Sequence, residues 1–113
     1  MMLNRKAAIR EFKERKIARG AFAVRCLATG EVWVGSARNL DAVKNRIWFG
    51  LRLGNHPEKS LQKRWNRHGE QAFECQVLEK LDDEVSPLAE ADLLKEKKGQ
   101  WMEKLGALPL LAY

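Results

Sequence analysis

The chain has 113 residues, enough for one domain with a single modest core. At 45% apolar and 32% charged it has the composition of a folded globular domain, and no apolar run nears the roughly 20 residues that span a membrane. Its net charge of +6 is unevenly placed: residues 1–19 carry seven Lys or Arg against Glu11 and Glu14, whereas residues 79–92 carry five net negative charges. Such an asymmetry orients a domain in the field of a polyanion. The start, Met1-Met2-Leu3-Asn4-Arg5-Lys6, has no hydrophobic stretch behind its charges and does not read as a secretory signal. Cys26 and Cys75 both fall in expected strands with no Cys-x-x-Cys spacing, which suits reduced thiols in a cytoplasm.

In chain order, residues 3–17 read as a basic helix with a sparse apolar face of Leu3, Ala8, Ile9 and Phe12. A hairpin follows, with strand residues 21–27, a Thr29-Gly30 turn and a return through Val32-Trp33-Val34. Asn39 or Asp41 caps a helix over 40–53, whose stripe of Leu40, Val43, Ile47 and Leu51 faces the sheet. Gly54-Asn55-His56-Pro57 ends it. A short helix over 58–67 buries Leu61 and Trp65, a third strand covers 72–81, and a last helix runs from 87 or 88 to 105. The expected fold is α+β: a small three-stranded antiparallel sheet flanked by helices, with the basic helix as an extension over 1–19 and the domain proper over 20–113. The apolar tail Leu108-Pro109-Leu110-Leu111 has two open fates, folding back onto the core or meeting a second copy.

Gly20-Ala21-Phe22, ten residues, then Trp33-Val34-Gly35 and Ser36-Ala37-Arg38-Asn39-Leu40 resemble the GIY-YIG nuclease superfamily. There, Gly-Ile-Tyr and Tyr-Ile-Gly lie on two neighbouring strands about ten residues apart. Leu61-Gln62, Trp65-Asn66-Arg67-His68-Gly69 and the strand Phe73-Glu74-Cys75-Gln76-Val77-Leu78-Glu79 extend the resemblance, and Trp101 falls where the family's last helix carries a Trp. The resemblance covers residues 20–105 and implies the family fold in a short, single-domain protein of bacterial type.

The same resemblance implies a phosphodiesterase site, and four of its positions have changed. Motif tyrosines handle the nucleophile in the family; Phe22 and Trp33 stand there, the first without a hydroxyl, the second with only an indole N–H. Val43 takes the place of a phosphate-clamping Arg and Ile47 that of a His, both on the apolar stripe. Arg46 lies about 60° round the helix and roughly 4.5 Å along it from Val43, within reach of the same phosphate. Lys98 replaces the metal-binding Glu, and an ammonium cannot ligate a divalent cation. Glu96 is about 200° away around the helix, so only a local bulge would return it as a ligand. His56 keeps the place of a loop His and has a ring suited to proton transfer.

Arg38, Lys59, Lys63, Arg64 and Arg67 are the candidate backbone contacts, three of them recurring every fourth residue. The expected function is therefore a cytoplasmic, nuclease-family domain that binds DNA with cleavage weakened or lost; the sequence does not distinguish DNA from RNA. One alternative is an active endonuclease, dependent on Mg2+ or Mn2+, with a rearranged site of Trp33, Arg46, His56 and Glu96. Another is a protein-interaction module built on the basic helix and the apolar tail. Without cleavage no cofactor is expected, and no membrane partner is. Oligomeric state is not encoded in any feature of the chain.

Overall fold

In the computed structural model of the chain, residues 17–113 are described. The basic helix expected over 3–17, and with it nearly all of the extension 1–19, lies outside the described residues. Strand β1 (Gly20–Cys26) and strand β2 (Val32–Ala37) form the expected hairpin, antiparallel, with Phe22 opposite Gly35 and Val24 opposite Trp33. The turn is closed by Gly30 N–H donating to the Cys26 carbonyl (2.8 Å), with Gly30 at φ 80°. Helix α1 (Leu40–Leu53) is capped by Asn39, whose side-chain oxygen accepts from the amides of Asp41 and Ala42. Helix α2 (Lys59–His68), a 3-10 turn (Glu70–Ala72), strand β3 (Phe73–Lys80) and helix α3 (Pro87–Leu105) follow. Ser86 caps α3 and Pro87 occupies its first turn, where a missing N–H costs nothing.

The α+β architecture stands, but the sheet has a fourth strand. The apolar tail folds back as β4 (Leu108–Ala112) and pairs parallel to β2, giving the order β3-β1-β2-β4. The expectation of three strands failed because β4 is short, contains Pro109 and lacks the polar–apolar alternation that marks a strand. Its position at the sheet edge is where a residue without an N–H is tolerated. No helix among the described residues is long and apolar enough to cross a membrane.

Alternation along β1 and β2 divides the sheet into two faces. Phe22, Val24, Cys26, Trp33 and Ala37 join Leu40, Val43, Ile47, Leu51, Leu61 and Trp65 in the main core. Trp48, Trp65 and Phe73 carry that core outward as a chain of ring contacts, centroids 5.3 and 5.4 Å apart. Ala21, Ala23, Val34 and Ser36 have the opposite parity, and α3 packs on β1 and β2 with Leu94 buried. Both glycines of the paired motif are close-approach positions. A Cβ on Gly20 would meet the Glu79 carbonyl oxygen at 1.9 Å, and one on Gly35 would meet the Leu111 carbonyl oxygen and the Phe22 ring at 2.8 Å. These residues are glycine because neighbouring strands and a ring occupy the space.

Candidate active site

Three of the four positions at which the resemblance implied a change are core. Phe22 and Ile47 are fully buried and Val43 is 1% exposed. The helix face carrying Val43 and Ile47 is packed in the main core, as the apolar stripe implies. Trp33 is also fully buried, and its indole N–H donates to the Ser60 hydroxyl at 3.0 Å. The polar end of Trp33 thus ties β2 to α2, and the ring is sealed from solvent.

The end of β4 supplies what the sequence reading missed. Tyr113, just beyond the strand, continues the ladder: its N–H donates to the Ser36 carbonyl and its carbonyl accepts from Arg38 N–H, both at 2.8 Å. This fixes the ring edge-on to Phe22, centroids 6.0 Å apart. The phenolic oxygen lies 2.6 Å from His56 Nε2, and the Arg46 guanidinium sits over the ring, 5.7 Å from its centroid. Arg46 and His56, proposed from sequence as a rebuilt site, are therefore brought together, but by a residue that neither motif contains. A signal existed: Tyr113 is the single tyrosine of a chain whose relatives by motif use tyrosines.

His56 is 6% exposed and held from all sides. Its N–H donates to Gln62 Oε1 (3.0 Å), while Gln62 Nε2 donates to the Leu51 carbonyl and to Asn66. Gln62 in this way ties the end of α1, the His56 loop and α2 together, a structural role for the Leu61-Gln62 pair. His56 Nδ1 accepts the Glu58 N–H at 3.0 Å. Burial pulls the imidazole pKa below its usual value, against the smaller opposing pull of Glu58. Burial likewise pushes the Tyr113 phenol up to about 12, with Arg46 acting the other way.

Beside Tyr113 a cavity of about 250 Å³ opens between the end of β2 and α3. Ser36, Arg38, Ala91, Leu94, Lys95, Lys98 and Tyr113 line it. Three cations and no carboxylate face this space. Lys98 is half-buried, and desolvation lowers its pKa. The donor set does not fit a divalent metal: an ammonium repels the ion that a carboxylate would bind. Glu96 is exposed, accepts from Gln100 Nε2 at 3.3 Å and is absent from the wall, so the helix has no bulge that returns it. Among the described residues no group of three His, Cys, Asp or Glu side chains is placed to share an ion. Glu90 stands behind the cavity, pairing with Arg19 (2.9 Å) and with the largely exposed Arg38 (3.2 Å).

The basic stripe is partly as expected. Lys59, Lys63 and Arg67 are exposed along α2, and the first two line an open recess with His56, Gln62 and Asn66. Arg64 does not extend the stripe freely, because Glu31 binds it at 2.5 Å and that contact holds the Glu31 carboxyl below its ordinary pKa. His56 lines this recess, Tyr113 lines the cavity, and the two side chains are hydrogen-bonded to each other.

No family model matches the chain. Intron-associated endonuclease 1 of Enterobacteria phage T4 is 30% identical over 88 residues, covering 78% of this chain and 33% of the phage protein. The chain thus spans about a third of the length of that curated relative. Among solved structures, the catalytic domain of the homing endonuclease I-TevI matches with a TM-score of 0.68 at 27% identity, covering 81% of this chain and 97% of that one. A mutant of the same catalytic domain gives 0.69 at 29%, covering 80% and 86%. Sequence identity and structural match agree: the chain is a homologue of the I-TevI catalytic domain and belongs to the GIY-YIG nuclease superfamily.

Proposed function

We propose that this chain is a nuclease-family domain that binds the DNA backbone without a divalent metal, its ancestral metal-dependent cleavage lost. The observation that carries this reading is the lining of the cavity beside Tyr113, whose charged residues are Lys95, Lys98 and the Glu90-paired Arg38, with no carboxylate among them. Fixed cations do for a phosphate electrostatically what a bound Mg2+ or Mn2+ would do, but they do not lower the pKa of an attacking water. The exposed stripe of Lys59, Lys63 and Arg67 supplies sequence-independent contacts on the neighbouring recess. Homology to an endonuclease makes DNA the polymer of choice, and reduced thiols at Cys26 and Cys75 suit a bacterial cytoplasm.

The test is fluorescence anisotropy with a labelled duplex, in chelator and in magnesium. Binding should be equal in both, plasmid should stay intact, and calorimetry should find no specific magnesium or manganese site. Lys98→Glu should weaken binding. Magnesium-dependent nicking by the unmodified protein would overturn the reading in favour of an active endonuclease that uses Arg46 and His56. That second reading draws support from one observation, the convergence of both side chains on Tyr113. The interaction-module reading has lost half of its basis, since the apolar tail is used within the sheet as β4.

A further inference from the structure

We infer that Tyr113 is the phosphate-facing hydroxyl of this domain, its oxygen held by His56 and its proton presented to the cationic cavity beside Lys98. The inference rests on the proposed binding of a nucleic-acid phosphate and names the group that, with the lysines, would receive it.

The protonation pattern follows from the hydrogen bonds. The Glu58 amide can only donate, so His56 Nδ1, 3.0 Å away, must present a lone pair. In a neutral imidazole the proton then resides on Nε2. Nε2–H therefore donates to the Tyr113 oxygen across 2.6 Å, and the phenol uses that contact as an acceptor. Its own O–H remains to be given elsewhere. Tyr113 lines the cavity, and the other polar side chains there are three cations and the buried Ser36. Ammonium and guanidinium groups accept nothing, and among the described residues the phenol's one side-chain hydrogen bond is to His56 and none is to the Ser36 hydroxyl, so a ligand oxygen is the natural acceptor for this proton. The cations select an anionic one, which together with the hydroxyl describes a phosphate.

Two further observations agree. Burial keeps the phenol protonated at neutral pH, as a donor requires. The ring is also held edge-on to Phe22 and under Arg46, its backbone anchored by two hydrogen bonds, so little freedom is lost on binding. His56 is then a positioning residue: with Nδ1 accepting and Nε2 donating, it has no free lone pair with which to take a proton.

The experiment titrates inorganic phosphate into isotopically labelled protein and follows the Tyr113 ring, the Lys98 ammonium and the His56 nitrogens by NMR, with duplex binding measured in parallel. Phosphate should move Tyr113 and Lys98 together. Tyr113→Phe keeps the ring and its packing, and should weaken phosphate about tenfold or more, as loss of a hydrogen bond to a charged acceptor does. Nitrogen shifts should report the Nε2–H tautomer of His56 in the wild type. His56→Phe should lower phosphate affinity, and His56→Gln, which retains an N–H donor, should restore part of it. Equal phosphate binding by wild type and a folded Tyr113→Phe would overturn the inference while leaving the cationic reading intact. So would duplex binding with no phosphate response in the cavity. Phosphate binding that needs Tyr113, in a protein that ignores duplex DNA, would support the hydroxyl and overturn the DNA reading. Binding of neither probe would overturn both.

Discussion

Replacing Gly35 by Ala tests whether the site depends on close contact between β2, β4 and Phe22. The new Cβ would lie 2.8 Å from the Leu111 carbonyl oxygen and 2.8 Å from Phe22 Cζ. The first is backbone of the adjacent strand and the second belongs to a fully buried ring, so neither yields cheaply. Overpacking of this kind costs about 1–3 kcal/mol, and two rigid neighbours place Gly35→Ala near the upper end, at about 3 kcal/mol. With about 2.1 cal/mol/K of unfolding entropy per residue, a chain of this size loses about 4 °C per kcal/mol, hence about 12 °C in melting temperature. Gly99→Ala is the matched control, since nothing lies within 4 Å of its added Cβ in the helix α3. It should gain up to about 1 kcal/mol from helix propensity and melt about 4 °C higher. Circular dichroism melts decide between them. A Gly35→Ala protein that melts with the wild type, and keeps the Tyr113 amide protected from exchange, would show that the sheet accommodates the methyl and that the close approach is incidental.

Other predictions follow from the same contacts. The combined Lys59→Ala, Lys63→Ala, Arg67→Ala variant should flatten the log–log salt dependence of duplex binding by about 2.7 units, three phosphate contacts at about 0.9 each; an unchanged slope would make the stripe a solvated face. Val43→Ala should cost about 2 kcal/mol with little loss of DNA affinity, whereas Arg46→Ala should change stability by under about 1 kcal/mol and weaken binding; the same loss in both would refute the assignment of helix faces. Because Tyr113 is the single tyrosine, phenolate absorbance reads it alone, and its midpoint should lie near 12 in the folded protein against about 10 unfolded. The raised value means that stability falls as pH climbs above about 10, where the unfolded chain ionises first. For His56 the sign is opposite: its folded pKa is depressed, so the unfolded state takes up the proton first and stability falls as pH drops below about 6.5. His56→Gln should flatten that acidic limb in denaturant titrations.

Local signals made much of this fold legible. The stripe from Leu40 to Leu51, the Asn39 cap, Ser86-Pro87 before α3 and the turn at Gly30 each act within a few residues, and each element formed where its signal lies. The altered positions Phe22, Val43 and Ile47 were legible for the same reason, since periodicity already placed them on packed faces. The main omission, Tyr113, depends on a parallel pairing between β2 and β4 across the whole of the intervening chain, which no window contains. His56 was singled out from its loop, but what its ring can do was not legible there. A ring's available lone pairs depend on neighbours, here Glu58 and Tyr113, whose contacts only three-dimensional placement shows.

The edge position of β4 separates the integrity of the core from that of the site. Trp33, Phe22 and the helices α1 and α2 are joined through β1, β2 and β3, whereas Tyr113 is carried at the end of the edge strand, which gives the core one residue, Leu110. Pro109 withholds one donor from that strand, and Leu108 and Leu111 are each more than 40% exposed. β4 is thus suited to sub-global opening, in which an edge strand departs while the rest of the protein stays native. Such an opening would remove the phenol from His56 and from the cavity lined by Arg38, Lys95 and Lys98 with most of the core still folded. Hydrogen exchange would show it as a group of amides at the β2–β4 seam with protection below the global value, raised by a phosphate ligand that binds only the closed form.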